Sequence, residues 1–330
     1  MIISKTPYRI SLFGGGTDYP DWFNHNNGHV INFSIDKYLY ISCRYLPPFF
    51  KHNLRIVYRK QEQVSNVKDL QHPSVKAILN YLNIKNNLEL HYDGDLPSRS
   101  GIGSSSAFTV GALNSLSKYK KLNFSKKMLA EKSIMIEQKK IGEVVGSQDQ
   151  VSVSYGGLNY IKFYKKNNFQ VKKIKTNEKT INKLNNNFML FHTGKFRIAE
   201  NISKKYVHAL KKKQNYLFKI YNLVFDALKL FNSNDVDMIG SLLHESWQLK
   251  KQVSSSISNS FIDDIYKTGL NNGAYGGKLL GAGAGGFILF YVPKKNQKKV
   301  RKSLNKLLYV PFRFENQGSQ IIYRSNDKTR

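Results

Sequence analysis

The sequence predicts an α+β fold in two halves, and three observations carry this prediction. Segments rich in β-branched and aromatic residues, typical of strands, alternate with segments whose apolar residues recur at helical spacing. A polar, charged stretch at residues 177–187 interrupts this order and marks a domain boundary, so the predicted domains are residues 1–184 and 185–330. The length of 330 residues suits one large domain or two of ordinary size.

The first half is predicted to begin with a strand and to contain most of the strands. Residues 2–13 alternate in polarity and stop at Gly14-Gly15-Gly16, which indicates a strand that enters a tight loop. The remaining elements expected in this half are strands at residues 29–46, 54–60, 88–96 and 156–164 and helices at residues 74–84, 105–120 and 125–142.

The second half is predicted to be richer in helices. Its expected elements are a strand at residues 188–194, helices at about 197–232, 235–256 and 261–272, and a strand at 286–292. The glycines between the last two elements match the Gly-x-Gly-x-x-Gly spacing of dinucleotide-binding folds. That fingerprint follows a strand and opens a helix, whereas these glycines are expected to follow a helix and enter a strand. We therefore expect this loop to approach a second loop or a ligand closely.

The composition is strongly basic, with 52 Lys and Arg against 22 Asp and Glu and a formal net charge of +30. Nucleic-acid binding is one interpretation of this charge. The lysines are spread widely, however, and Arg-rich clusters with interleaved aromatic residues are missing. We interpret the charge as compositional and expect no specific nucleic-acid partner.

One cysteine, Cys43, permits no intramolecular disulfide, which fits a reducing compartment. No segment has the length and apolarity of a bilayer span or a signal peptide. We expect a cytoplasmic protein with no membrane partner. The sequence leaves the oligomeric state open.

The stretch "LPSRSGIGSSSAFTVGALNSL" at residues 96–116 places small residues at the start of a predicted helix. The first N–H groups of a helix lack partners and carry partial positive charge. Gly101 and Gly103 would let the backbone approach a phosphate closely, and serine hydroxyls can donate to its oxygens. The spacing alone fits equally a loop for a nucleoside triphosphate and a helix capped by serine.

Three motifs, in this order, resemble the GHMP kinase superfamily over essentially the whole chain. They are "RISLFGGGTDY", Pro97 to Ser105 against the pattern Pro-x-x-x-Gly-Leu-Gly-Ser-Ser, with Ile102 for Leu, and "KLLGAGAGG". The resemblance implies an N-terminal domain of the ribosomal protein S5 domain 2 type and a ferredoxin-like C-terminal domain. It also implies that ATP and a sugar bind in the cleft between them.

The stretches "GSQDQVSVSYGGLNY", "SWQLKK" and "NNGAYGGKLLGAGAGGF" look most like the heptose 7-phosphate kinases within this superfamily. This implies phosphorylation of the C1 hydroxyl of D-glycero-D-manno-heptose 7-phosphate, with a small-molecule sugar or sugar phosphate as the partner. A fucokinase-like or galactokinase-like activity on another sugar is the alternative. Galactokinases usually carry Gly-Glu-His-Thr-Asp where this chain has Gly14-Gly15-Gly16-Thr17-Asp18, which argues against galactose.

The resemblance also implies roles for individual residues. Asp149 would face the acceptor hydroxyl, Arg9 would stabilise its ionised form and the developing charge, and Ser105 with Glu137 would hold Mg²⁺. The residues implied in ATP binding are Pro97, Ser100, Gly101, Ile102, Gly103, Ser104, Ser105 and Ser106. Those implied in substrate binding are Gly15, Gly16, Thr17, Asp18, Gly281, Gly283 and Gly285, with Arg197, Lys250 and Lys278 as candidate cations for a substrate phosphate.

Without the resemblance, the three charged residues given catalytic or metal roles fit simpler interpretations. Glu137 fits the solvated face of a helix, Asp149 fits a loop cap, and Arg9 fits a surface position on a strand.

Overall fold

Strands and helices alternate through the chain in the computed structural model, which describes residues 1–195, 206–210 and 212–325. This confirms the predicted α+β class. The strands are β1 (Ile2–Phe13), β2 (Gly28–Tyr45), β3 (Leu54–Val57), β4 (Gln61–Val64), β5 (Leu88–Gly94), β6 (Leu158–Tyr164), β7 (Asn168–Lys173), β8 (Phe188–His192), β9 (Gly276–Leu279), β10 (Phe287–Tyr291), β11 (Leu308–Val310), β12 (Phe314–Glu315) and β13 (Gln320–Arg324). The α-helices are α1 (Pro20–Asn26), α2 (Pro73–Tyr81), α3 (Ser104–Tyr119), α4 (Lys126–Met135), α5 (Gln148–Tyr155), α6 (Glu178–Asn187), α7 (Gln214–Asn232), α8 (Ile239–Val253), α9 (Ser260–Asn271) and α10 (Gln297–Ser303).

The strands form two sheets in the described part of the chain. The first has the order β13-β1-β2-β5-β3-β4, with β6 and β12 also paired with β2 and β7 paired with β6. The second has the order β11-β8-β10-β9. The late strands β12 and β13 thus return to the sheet of the first half. The division at residues 184 and 185 stays a prediction.

Helix α3 lies against β1 and β2 and is buried along nearly its whole length. A helix with small and apolar residues on every face suits such a position. Gly111 allows the close approach, because an added Cβ would lie 2.9 Å from Oγ1 of Thr6, and Ser4 donates a hydrogen bond of 2.8 Å to the Gly111 carbonyl. The start of α3 is thereby fixed relative to β1.

Two elements differ from the expected order. The stretch at residues 177–187 carries helix α6, which the Asn177 side chain caps at the Thr180 N–H and which buries Leu184. The expectation that the last glycines directly follow a helix was wrong, because β9 lies between α9 and these glycines. Gly276 in β9 packs against the backbone of Gly240 in α8, where an added Cβ would overlap the Gly240 carbonyl. A strand begun by two glycines lacks the β-branched pattern that identifies strands.

The helices that the sequence predicted are present in the described residues, whereas helices α1, α5 and α10 and strands β4, β7, β11, β12 and β13 were not predicted. The helix predicted at residues 125–142 is α4 followed by a π-helical turn, Ile136–Ile141. Of the helix predicted at residues 197–232, the described residues 206–210 and α7 are helical. Within the described ranges, no helix has the length and apolarity needed to cross a membrane.

Candidate active site

The three glycine-containing stretches meet around a cavity of about 600 Å³. Its wall combines the loop after β1, the start of α3, the π-helical turn, the start of α5, α8 and the end of β9. A cavity of this size accommodates a nucleotide or a sugar phosphate. The predicted site residues that line it are Arg9, Gly15, Gly16, Asp18, Gly101, Gly103, Ser104, Ser105, Ser106, Glu137, Asp149, Lys250, Lys278 and Gly281.

Arg9 and Asp149 form a bidentate ion pair at the cavity wall. Nε and Nη2 of Arg9 donate to the two carboxylate oxygens of Asp149 at 2.7 and 2.5 Å. The third donor, Nη1, holds the carbonyl of Gly101 at 2.8 Å. The Arg9 side chain is 5% exposed and the Asp149 side chain is 26% exposed. Arg9 is therefore not a surface residue, and it joins the carboxylate to the loop before α3.

Asp18 connects the first glycine loop to α5. Its Oδ1 accepts the N–H of Gly16 at 2.9 Å, and its Oδ2 accepts the N–H of Gln148 at 3.3 Å. Burial raises the pKa of Asp18, and the nearby Asp149 carboxylate adds to the rise, while the two N–H donors oppose it. Asp18 is 1% exposed, and it is hydrogen-bonded to the residue that precedes Asp149 on α5.

The loop before α3 has a left-handed backbone at several residues. Gly101 and Gly103 have φ values of 87° and 75°, and Gly103 packs against the Arg9 side chain, where an added Cβ would lie 3.0 Å from Cγ. Ser104 accepts the N–H of Arg99 at 3.1 Å. Ser105 is exposed at the cavity, so its hydroxyl is available to a ligand.

Glu137 is 1% exposed, which overturns the interpretation of a solvated helix face. Its Oε2 accepts hydrogen bonds from Ser106 at 3.0 Å and Gln150 at 2.5 Å, and its Oε1 is buried without a partner among the described residues. Burial raises the pKa of Glu137 to about 8, and the nearby Glu143 adds to the rise. Glu137 lies in the π-helical turn, a distortion frequent at functional sites.

Two lysines border the cavity on the side of the last glycine loop. Lys278 in β9 donates to the Leu12 carbonyl at 2.7 Å, and Lys250 in α8 donates to the Gly281 carbonyl at 2.5 Å. Burial holds the pKa of the Lys278 amine well below its usual range, and the charges of Lys250 and Arg9 act in the same direction. The Lys278 amine therefore lies near both Lys250 and Arg9, and we call the two lysines the lysine wall.

The last glycine loop packs on the loop before α3. The Ser100 carbonyl accepts the N–H of Phe287 at 3.0 Å, and an added Cβ at Gly286, whose φ is 103°, would overlap that carbonyl. This confirms the expectation of a glycine loop that approaches a second loop closely. The residue in contact is Gly286, while Gly283 packs against Ile257 and Gly285 against Lys195.

Several predicted site residues lie behind the cavity wall. Thr17 turns its hydroxyl to the carbonyls of Gly14 and His29, both at 2.9 Å. Ile102 accepts the Arg9 N–H through its carbonyl at 3.1 Å. The predicted residues that do not line the cavity are Thr17, Pro97, Ser100, Ile102, Gly283 and Gly285. Arg197 lies outside the described residues.

Sequence reasoning missed an aromatic wall at one end of the cavity. The His72 and Phe108 rings stack with their centroids 4.7 Å apart, and Tyr58 meets His72 edge-on at 4.8 Å. These residues come from three separate segments, so no local pattern brings them together. A flat nucleobase stacks well on such rings.

Two further residues of the wall were missed. Arg99 lines the cavity with a φ of 60°, and its guanidinium makes no hydrogen bond or ion pair with any described residue. It stands inside the Pro97 to Ser105 motif, at a position that the pattern leaves unspecified. Tyr206 covers Gly16 and donates to the Gly15 carbonyl at 3.4 Å. Burial raises the pKa of Tyr206.

The chain matches known proteins along both halves. The profile for the GHMP kinases N terminal domain matches residues 70–157, and the profile for the GHMP kinases C terminal domain matches residues 227–310. A Campylobacter jejuni protein named D-glycero-alpha-D-manno-heptose 7-phosphate kinase is 30% identical over 92% of this chain and 93% of its own length. A galactokinase of Pyrococcus furiosus is 25% identical over 91% of each chain.

A solved structure has the same fold. The crystal structure of a D-glycero-D-manno-heptose 1-phosphate kinase from Bacteriodes thetaiotaomicron superimposes with a TM-score of 0.82 at 21% identity, covering 99% of this chain and 100% of that one.

Proposed function

Because the chain belongs to the GHMP kinase family and is thus a phosphotransferase, we propose that it transfers the γ-phosphoryl group of ATP to the C1 hydroxyl of D-glycero-D-manno-heptose 7-phosphate. The name of the Campylobacter jejuni relative supports the heptose acceptor. The observation that carries the proposal is the Arg9–Asp149 ion pair, which lies at the cavity between the loop before α3 and the first glycine loop.

On the acceptor side, Asp149 orients the sugar hydroxyl and accepts its proton as the bond to phosphorus forms. Arg9 holds the carboxylate in one orientation, because a bidentate guanidinium fixes both oxygens. Arg9 also binds the Gly101 carbonyl, so the acceptor group and the loop before α3 are held at a fixed separation. Phosphoryl transfer depends mainly on such positioning and on charge neutralisation.

On the nucleotide side, the N-terminus of α3 and the hydroxyls of Ser104 and Ser105 bind the triphosphate, while the Ser106 hydroxyl donates to Glu137. The adenine stacks on the aromatic wall of Tyr58, His72 and Phe108. Arg99 supplies a cation that no described residue neutralises. Arg99 thus neutralises phosphate charge from within the loop before α3.

The donor set also fits Mg²⁺. Glu137 presents a buried oxygen without a described partner, and Ser105 presents an exposed hydroxyl at the same cavity, and both are the hard oxygen ligands that Mg²⁺ prefers. The ion, when bound, would neutralise phosphate charge. Ser106 and Gln150 hold Glu137 in place through its other oxygen.

The sugar binds between the first glycine loop and the lysine wall. Gly15, Gly16 and Gly281 leave room for it at the cavity, and Asp18 fixes the first loop to α5. The 7-phosphate of the heptose is assigned to the side of Lys250 and Lys278. Arg197 remains a candidate for the same phosphate. Thr17, Gly283 and Gly285 support the loops from behind.

An ADP-release assay with Mg·ATP tests this function. The acceptors are D-glycero-D-manno-heptose 7-phosphate, sedoheptulose 7-phosphate, mannose, fucose and galactose, each with wild type and Asp149→Ala. Turnover confined to the heptose phosphate and lost in the variant is the expected result. Turnover confined to an unphosphorylated sugar would contradict heptose 7-phosphate as the acceptor. Absence of ADP release with all five acceptors would contradict a sugar kinase activity.

A sugar 1-kinase with another acceptor is the second candidate. The similarity to the Pyrococcus furiosus galactokinase over most of both chains favours it. The same panel separates the two, because only the first candidate requires a phosphate on the acceptor.

A further inference from the structure

Beside the Arg9–Asp149 ion pair, two uncharged polar side chains at the cavity each have an atom without a hydrogen-bond partner among the described residues. Ser11 in β1 and Gln148 at the start of α5 are each 8% exposed, and both line the cavity. Oγ of Ser11 and Oε1 of Gln148 are buried with no hydrogen-bond partner among the described residues. A buried polar atom that stays unpaired costs free energy, so such atoms need a reason in a folded protein.

The two side chains lie next to the Arg9–Asp149 ion pair. Alternate residues of a strand point to the same face, so Ser11 follows Arg9 along one face of β1. Gln148 directly precedes Asp149 on α5. β1 and α5 therefore present two pairs of polar side chains side by side. Arg9 and Asp149 are joined by hydrogen bonds, whereas Ser11 and Gln148 are not.

Gly15 lies between Ser11 and Gln148. A Cβ added at Gly15 would be 3.5 Å from Ser11 Oγ and 3.7 Å from Gln148 Nε2. Both side chains therefore border the small space above the Gly15 α-carbon. Gly15, Ser11 and Gln148 all line the cavity, so this space adjoins it.

The backbone of Gln148 is fully engaged while its carboxamide is not. The Gln148 N–H donates to Asp18 at 3.3 Å, and its carbonyl accepts the Ser152 hydroxyl at 2.5 Å. The side chain is thus carried on a fixed backbone. A hydroxyl and a carboxamide together offer donors and acceptors without charge, which matches a sugar hydroxyl better than a phosphate.

We propose that Ser11 and Gln148 form a hydroxyl-binding pocket that recognises a ring hydroxyl of the acceptor sugar, beside the hydroxyl that faces Asp149. This rests on the proposed function and adds two specificity-determining residues to it. A sugar that lacks this hydroxyl leaves both groups unpaired in the complex, and sites of this kind reject such analogues strongly.

The test compares the sugar that wild type phosphorylates with its 2-deoxy and 3-deoxy analogues. Wild type is expected to lose roughly 10- to 100-fold in kcat/KM on one analogue, the effect of leaving buried polar groups unpaired. The double variant Ser11→Ala, Gln148→Met is expected to prefer the parent sugar by less than about 3-fold, because its pocket has no polar group to leave unpaired.

A matched control distinguishes an effect of sugar binding at Ser11 from an effect of removing any buried, unpaired hydroxyl. Ser133 in α4 also has a buried hydroxyl without a described partner, and it does not line the cavity. Ser133→Ala is expected to keep the wild-type preference for the parent sugar. A loss of the preference in this variant as well would overturn the assignment.

Thermal unfolding gives a second readout. Ser11→Ala removes a hydroxyl that stabilises nothing in the ligand-free protein, so its Tm is expected to equal or exceed that of wild type. Gly15→Ala is also expected to fold, because its Cβ would meet both side chains at ordinary contact distances, and it should lower kcat/KM by filling the space. A Tm lowered by Ser11→Ala would indicate a structural hydroxyl and contradict the pocket.

The failure of this inference is distinguishable from failure of the proposed function. If wild type turns over the sugar and the double variant loses as much kcat/KM on the deoxy analogue as wild type does, the hydroxyl-binding pocket is wrong while the proposed function stands. Absence of turnover by wild type on every sugar would overturn the proposed function, and the pocket with it.

Discussion

Arg9 donates two hydrogen bonds to the carboxylate of Asp149, at 2.7 and 2.5 Å, and a third to the Gly101 carbonyl at 2.8 Å. One buried guanidinium thus ties Asp149, the proposed acceptor-facing group, to the loop before α3. In-line phosphoryl transfer requires a fixed separation between the acceptor group and the loop that binds the phosphates.

Replacing either member of this pair should lower kcat more than it changes KM. Asp149→Asn is expected to lower kcat by roughly 10²–10⁴-fold, the usual contribution of a general base. Arg9→Lys keeps the charge and loses the bidentate geometry, so a smaller loss of about 10- to 100-fold is expected. Steady-state kinetics with both substrates measures this. An Asp149→Asn enzyme within about 10-fold of wild type would contradict the role of Asp149.

Arg99→Gly should weaken ATP use without destabilising the fold. Arg99 has a φ of 60°, which glycine adopts without strain, so the fold should be slightly stabilised. Loss of its free cation is expected to reduce kcat/KM for ATP by roughly 10- to 100-fold, the effect of one hydrogen bond to a charged group.

Lys121→Gly is the matched control for Arg99→Gly. Lys121 has a φ of 59°, is exposed and does not line the cavity, so this variant relieves the same backbone strain and removes a cation elsewhere. Its kinetics should equal those of wild type. Equal losses in the two variants would show that the ATP effect does not belong to the loop.

Gly286→Ala should disturb the contact between the last glycine loop and the loop before α3. Its Cβ would overlap the Ser100 carbonyl, and its φ of 103° is unfavourable for alanine. The control is Gly194→Ala, where φ is 72° and no atom of a described residue lies within 4 Å of the added Cβ. Gly286→Ala is expected to lower the free energy of unfolding by about 1–3 kcal/mol more than the control and to raise KM for ATP. If denaturant unfolding showed the same loss of unfolding free energy in Gly286→Ala and Gly194→Ala, the packing of Gly286 on the Ser100 carbonyl would be contradicted.

His29 should make the protein sensitive to acid. Burial, helped by the nearby charge of Lys162, lowers the pKa of His29 to about 4 from an ordinary value of 6.5. The folded state therefore favours the neutral ring, and its contribution to stability is present above pH 6.5 and lost as the pH falls toward 4. The stability gap between wild type and His29→Asn should narrow over this range by up to roughly 1.4 kcal/mol per pH unit. Denaturant unfolding at several pH values measures it, and a constant gap would exclude the buried histidine as the cause.

The resemblance to the family predicted that Arg9 and Asp149 act together, because each lies in or beside a short recognisable motif, and the structure pairs them. It could not tell which serine hydroxyl faces Glu137, since neighbouring residues of a helix point about 100° apart and the answer depends on how α3 is rotated. In the structure Ser106 contacts Glu137 and Ser105 faces the cavity. Thr17 looked like a ligand residue, yet it belongs to the loop's own hydrogen bonds.

The parts of the site that depend on tertiary packing were not predictable. Tyr58, His72 and Phe108 are far apart in the chain and carry no shared pattern, so their wall follows only from the way β3, α2 and α3 pack. The return of β12 and β13 to the first sheet is equally invisible, because strand pairing over such a distance leaves no local signal.

Phosphorus NMR of the product formed from ATP and D-glycero-D-manno-heptose 7-phosphate shows directly which hydroxyl receives the phosphoryl group. Transfer to the C1 hydroxyl gives a second phosphomonoester whose phosphorus couples to the anomeric proton, together with loss of the reducing end. A new phosphate on any other carbon would contradict the assignment of Asp149 to the C1 hydroxyl.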